Sequence, residues 1–225
     1  MLDTALFVVF PYLAVAVAVG VGLYRYRAAR FSYSSLSSQL LESRALFWGS
    51  VPWHYAILAI LLAHLFAALL PGPWAALLGR PARLYVLEAT GLALTATALV
   101  GLTLLVVRRA RDRRVRVVTS AMDWCLLAAL LVQVGLGFWV ALGYRWGGLW
   151  YLHSVVPWLA SLATFHPRPE FVQPLPLVVK LHIVGGFVVI GLFPFTRLVH
   201  LVTVPITYLW RPYQVVIWNR QPRQA

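Results

Sequence analysis

Acidic side chains are scarce in this chain, and cysteine is almost absent. Six Asp and Glu stand against nineteen Lys and Arg, and Cys125 is the one thiol. A single cysteine excludes an intrachain disulfide, a cysteine-held iron–sulfur cluster and a Cys-x-x-Cys-His haem attachment. Cys125 lies in an apolar run and reads as a small buried packing residue. No nucleotide-binding loop or cluster motif is present. Charged residues of either sign make up only 11% of the chain. The formal charge of +13 does not point to nucleic acid, because the arginines cluster between long apolar runs.

Those runs dominate. The chain is 61% hydrophobic with a mean hydropathy of +0.80, more than a soluble domain of its size shows. Five segments have the length a bilayer requires, at about residues 6–24, 52–70, 85–107, 122–142 and 179–204. They are continuously apolar and do not alternate, which predicts helices and not a barrel. Pro52 suits a first helical turn, Pro71-Gly72-Pro73 closes the second span, and Pro205 ends the fifth. No repeat or soluble segment interrupts them. The expectation is an all-α integral membrane protein, one domain over residues 1–225.

Orientation follows from the basic residues. The first and third connections and the C-terminal end carry Arg25, Arg27, Arg30, Arg44, Arg108, Arg109, Arg111, Arg113, Arg114, Arg116, Arg197, Arg211, Arg220 and Arg223. The opposite side has Arg80, Arg83, Arg145, Arg168 and Lys180. The richer side is expected to be cytoplasmic, which puts the N-terminus outside and the C-terminus inside. The first charge, Asp3, and the late Arg25 and Arg27 do not fit a cleavable signal. The long outer connection, residues 143–178, contains LWYLHSVVPWLASLATF and reads as a helix lying in the outer interface. Trp74, Tyr144, Trp146, Trp150 and Tyr151 fit an aromatic belt there.

Four histidines fall inside apolar spans: His54 and His64 in the second, His182 and His200 in the fifth. A protonatable ring in hydrocarbon needs a partner. Two imidazoles from facing helices, without cysteine or carboxylate, suit haem iron. The second span runs outward and the fifth inward, so direction pairs His54 with His200 and His64 with His182. Ten residues separate the first two, roughly 15 Å, and eighteen the others, roughly 27 Å of continuous helix. Eighteen residues are five full turns, which puts His182 and His200 on one face; ten leave His54 and His64 about 80° apart. The heights differ by about 12 Å, a gap that tilt and a bend at Pro194 are expected to absorb. Gly185, Gly186 and the alanines Ala56, Ala59, Ala63 and Ala67 leave room for a flat cofactor, or serve ordinary helix packing. A histidine near a span end can also be merely interfacial, as for His54 beside Trp53 and His182 near Lys180. His153 and His166 lie outside firm spans and are left out of the ligand set.

Other polar residues have simpler readings. Glu88 in the third span either accepts a proton from a substrate or pairs with Arg83, Arg80 or water. Asp123 reads as a helix N-terminal acid facing arginines, and Gln133 as an interhelical hydrogen-bonding group. Orientation is the default reading of the run RRARDRRVRVV, with acidic lipid, haem propionates or a partner's acidic face as the alternatives. The aromatic tail 210–225 lies either on lipid or, the preferred reading, against a soluble partner.

The segments SSQLLESRALFWGSVPWH, WHYAILAILLAHLFAALLP, RVRVVTSAMD and KLHIVGGFVVIGLFPFTRLVHLVTVPITYL resemble the gamma subunit of membrane-bound respiratory nitrate reductase, a di-haem cytochrome b. The resemblance covers nearly the whole chain. It implies two non-covalent b-type haems, the inner on His54 and His200 and the outer on His64 and His182. It implies quinol oxidation near the outer haem, with electrons passing inward to an iron–sulfur beta subunit and a molybdenum-containing alpha subunit. A lysine that the family carries at the start of the third span falls near Tyr85 here. Tyr85, Arg83 and Glu88 are therefore the candidate quinol contacts. Two alternatives stay open: the same anchor on a sulfite- or disulfide-linked reductase, and a transporter using histidines for protons or metal.

Overall fold

The computed structural model describes residues 1–28 and 41–202. Among them, five helices are long and apolar enough to cross a membrane: α1 Leu2–Ala28, α2 Arg44–Leu69, α3 Pro81–Arg111, α4 Ala121–Gly143 and α5 Leu177–Phe195. No described residue lies in a strand. The chain is an all-α, multi-pass membrane protein, as its apolar runs require. Arg30, Pro205, the last residues of the fifth predicted span and the tail 210–225 lie outside the described residues.

Several boundaries differ from expectation, each for a local reason. Helix α2 begins at Arg44, so Pro52 sits inside it and not in its first turn. The Glu42 carboxylate accepts the Ala45 N–H at 2.7 Å and the Leu46 N–H at 3.2 Å. That satisfies donors a first turn otherwise leaves over and starts the helix early. The Ala45 bond, then the Arg108 guanidinium, hold the Glu42 carboxyl below the usual carboxylate range. Helix α3 begins at Pro81, where a missing N–H costs nothing, and its last turn carries Arg108, Arg109 and Arg111, favourable at the negative end of the helix dipole. Helix α4 starts with a reciprocal cap. Ser120 Oγ accepts the Asp123 N–H at 3.1 Å, and the Asp123 carboxylate accepts the Ser120 N–H at 3.0 Å.

The connection between α4 and α5 is helical over residues 147–163, but it does not simply lie in an interface. Trp158 is 1% exposed and packs with Phe7, Val155, Leu162 and Val172. Its indole N–H donates to the Phe7 carbonyl at 3.0 Å, and the Tyr12 hydroxyl donates to Leu162 O at 2.8 Å. Apolar matching to α1 pulls this segment into the core. Trp74 is likewise buried, against Ala67, Leu78, Leu84 and Leu152, and so is not a belt residue. Cys125 shows the reverse, being exposed on the protein's own surface. A thiol is apolar enough to face lipid without cost.

The spans pack in the series α2–α3–α4–α5–α1. The α2–α3 contact rests on glycine. A Cβ on Gly101 would stand 2.8 Å from the Gly49 carbonyl oxygen and 2.9 Å from the Trp53 nitrogen, both backbone atoms. Backbone cannot swing aside as a side chain does. Gly101→Val is expected to cost about 1–3 kcal/mol through overpacking and to lower the thermal midpoint of the detergent-solubilised protein. An unchanged midpoint would mean the two helices separate freely. Helices α2 and α5 are not among the closely packed pairs. They meet instead through histidine.

Candidate functional site

All four span histidines share one arrangement of the ring. His54 Nδ1 lies 2.7 Å from Ser50 O, and His64 Nδ1 lies 2.8 Å from Ile60 O. Side chains on a helix lean toward its N-terminus, so a ring at position i reaches the carbonyl four residues back. That oxygen has a second lone pair beyond the one its helical bond uses. His182 Nδ1 reaches across to Gln133 O on α4 at 3.1 Å, and His200 Nδ1 lies 2.6 Å from Arg197 O. A carbonyl only accepts, so each Nδ1 carries the proton and each Nε2 keeps a free lone pair. This is the tautomer of a metal-binding imidazole, whose other nitrogen is tied to a backbone carbonyl. His166 makes a similar bond to Thr164 O at 2.8 Å, but on an exposed loop. The bond therefore counts only together with position, and His153 and His166 stay outside the set.

The structure brings His54 and His200 together, with ring centroids 6.1 Å apart and planes inclined by 68°. An ion about 2 Å from each of two imidazole nitrogens sets the centroids about 6 Å apart, so the pair fits one shared iron. His64 and His182 lie within electrostatic reach of each other. Beside them, Tyr151 packs its ring at 5.3 Å from His64 and donates its hydroxyl to His64 O at 3.3 Å. Burial pushes the Tyr151 phenol up to about 12, so it stays a neutral donor. Among the described residues, no group of three or more His, Cys, Asp or Glu gathers into a non-haem metal site.

The pairing does not arise from five continuous turns. The α-helical part of α5 ends at Leu192, followed by a 3-10 turn, Phe193–Phe195. Thr196 is extended, and His200 sits in a second 3-10 segment, Arg197–Leu201. Pro194, the expected bend, is where the helix stops. Its missing N–H and the clash with the preceding turn break the ladder.

Helix α4 shapes both ends of α5. The Gln133 side-chain amide donates to His182 O at 3.0 Å while Gln133 O takes the ring, so its interhelical role holds. A Cβ on Gly185 would stand 2.3 Å from Gln133 Oε1. That glycine makes room for Gln133, in line with the helix-packing reading. Gly137 faces the His182 ring, where a Cβ would stand 3.0 Å from Cε1. At the other end Arg197 forks onto Asp123, at 2.6 and 2.9 Å, and Arg109 approaches the same carboxylate at 3.6 Å. Asp123 is the arginine-facing N-terminal acid expected of it.

The quinol candidates are not one constellation. Tyr85 packs at 5.1 Å on Trp146 and lines a groove with Leu78, Leu84 and Leu149. Arg83 lines a neighbouring groove with Leu77, Val86 and Thr90. The Glu88 carboxylate accepts the N–H groups of Trp146 at 3.0 Å and Gly148 at 3.3 Å, and so holds the turn that opens helix 147–163. Neither expected reading of Glu88 named those partners. Backbone donors brought from 58 residues away leave no local signal. Tyr151 and Gly137 were missed for the same reason.

These features define a polytopic helical membrane protein in which His54 of α2 meets His200 just beyond α5. The sequence model of the nitrate reductase gamma subunit family matches residues 3–219. The chain is 35% identical over 210 residues to the nitrate reductase gamma chain of Bacillus subtilis (strain 168), covering 92% of this chain and 94% of that one. It is 31% identical over 218 residues to the respiratory nitrate reductase 1 gamma chain of Escherichia coli (strain K12), covering 96% and 97%. It is also 33% identical to the nitrate reductase-like protein NarX of Mycobacterium tuberculosis (strain H37Rv), covering 95% of this chain but 33% of that longer one. The chain belongs to the nitrate reductase gamma subunit family, and is a membrane subunit of a nitrate reductase complex.

Proposed function

We propose that this subunit is a di-haem cytochrome b that oxidises quinol and passes electrons to the soluble subunits of nitrate reductase. The observation that carries the reading is the shared state of His54, His64, His182 and His200, each with Nδ1 on a carbonyl and Nε2 free. His54 and His200 hold one b haem, and His64 and His182 the other. Bound haem supplies one-electron transfer at a potential set by its ligands and burial. The carbonyl bonds fix each ring's orientation and make Nε2 a stronger donor. Tyr151 holds the backbone of His64 and covers its ring.

The arginine-rich ends of the spans face the cytoplasm, with the C-terminus there and the N-terminus outside. The His64–His182 pair then lies near the outer face, with the grooves of Tyr85 and Arg83 as the quinol site. Quinol bound there releases protons outward while electrons move in to an iron–sulfur beta subunit and a molybdenum-containing alpha subunit. Glu88, tied to two N–H groups, serves this site by holding Trp146 against Tyr85. Membership of the nitrate reductase family favours this over a sulfite- or disulfide-linked complex. A transporter reading has little support: Asp123 is forked by Arg197 and Glu88 by backbone, so neither lines an ion path. Reduced-minus-oxidised visible spectra of the purified chain test the proposal. Two low-spin six-coordinate haems per chain are expected, and a preparation without Soret absorption refutes it.

A further inference from the structure

We propose that Asp123 and Arg197 are positioning residues for His200, acting through the Arg197 backbone. The inference rests on the reading of His200 as a haem ligand. His200 is the one ligand that follows the break in α5, so no continuous helix fixes it. Its ring is oriented by Arg197 O at 2.6 Å. That carbonyl is as well placed as Arg197 itself, whose guanidinium grips both oxygens of Asp123 at 2.6 and 2.9 Å. Asp123 is in turn fixed by the Ser120 N–H at 3.0 Å, and its side chain is 7% exposed. A bidentate, largely buried ion pair holds angle as well as distance. The segment is secured on other sides by the Arg25 guanidinium on Pro194 O and by Val199, 1% exposed. Those contacts fix where the turn lies, while the fork on Asp123 sets how the Arg197 peptide is presented to the ring.

The test uses the assembled membrane complex. Single variants His54→Ala and His64→Ala first assign the two haem signals. Asp123→Asn keeps an acceptor for the Ser120 N–H but removes the charge that Arg197 grips. Ser120→Ala weakens the helix cap and leaves the ion pair. The readouts are haem content, the midpoint potential of each haem and the low-spin electron paramagnetic resonance of each. Asp123→Asn and Arg197→Lys are expected to weaken affinity at the His54–His200 site on the order of tenfold, as lost outer-shell partners of a ligand do. Its midpoint and resonance shift, the other haem keeps both, and Asp123→Glu restores most of the signal. Ser120→Ala leaves both haems as in the wild type. Unchanged signals in Asp123→Asn would overturn the proposal. So would equal loss of both haems, or a Ser120→Ala protein that matches Asp123→Asn, because either outcome makes the role one of general folding. A wild-type complex without haem removes the underlying reading as well, and so is told apart from a failure confined to Asp123.

Discussion

Alanine in place of any one of the four span histidines should remove one haem and leave the other. His54→Ala or His200→Ala should empty the site nearer the arginine-rich end, and His64→Ala or His182→Ala the opposite one. On the proposed di-haem reading, each leaves a single imidazole facing a cofactor that takes two, and a b-type haem has no covalent link to retain it. The pairs are held by different supports. His54 and His64 use carbonyls of their own helix, while His182 depends on α4 and His200 on the turn after Pro194. Loss at one site therefore need not spread. Quinol-dependent nitrate reduction should fall to background in all four variants. Nitrate reduction driven by an artificial donor to the soluble subunits should persist. A single variant that keeps both haems, counted by difference spectroscopy, would show the pairing to be wrong.

The approach of His54 to His200 was legible before any coordinates, because the opposed directions of the two spans predict it. Two antiparallel spans with two histidines each have one arrangement that does not cross the membrane. The five spans were legible for a similar reason, since twenty apolar residues in a row have few other uses. What escaped notice depends on contacts between distant segments. The apolar run from Leu177 passes through Pro194 without a change of composition, so five full turns seemed to join His182 and His200. The helix instead ends at Leu192, and the pair forms because the chain turns there. Trp158 carries the composition of an interface residue yet fills the core against Phe7. Of the two readings open for Gly185, cofactor room or helix packing, the contact with Gln133 supports packing. Tryptophan and glycine both have two common uses in membranes, and only the neighbour tells which applies.

Gly137→Leu should cost the protein the haem on His64 and His182 while sparing the other. The Gly137 Cα faces the His182 ring so closely that an added Cβ meets Cε1 at 3.0 Å and both nitrogens at 3.6 Å. A ring usually escapes such crowding by rotating. This one is held at Nδ1 by Gln133 O, and its backbone is held by the Gln133 amide. A leucine must then push the imidazole off its carbonyl or push α4 away from α5. Either movement takes Nε2 from its partner across the bundle, where a ligand tolerates errors well under 1 Å. Gly137→Ala adds only the Cβ, and should shift the midpoint of that haem without emptying the site. A redox titration showing two wild-type midpoints in Gly137→Leu would mean that His182 has room to move and that α4 does not set it. On this view α4 supplies no ligand, yet governs His182 on α5 through Gln133 and Gly137, and His200 beyond α5 through Asp123. A helix with that duty tolerates change poorly on its α5 face, whereas Cys125, exposed and clear of it, should accept serine or alanine with both haems intact.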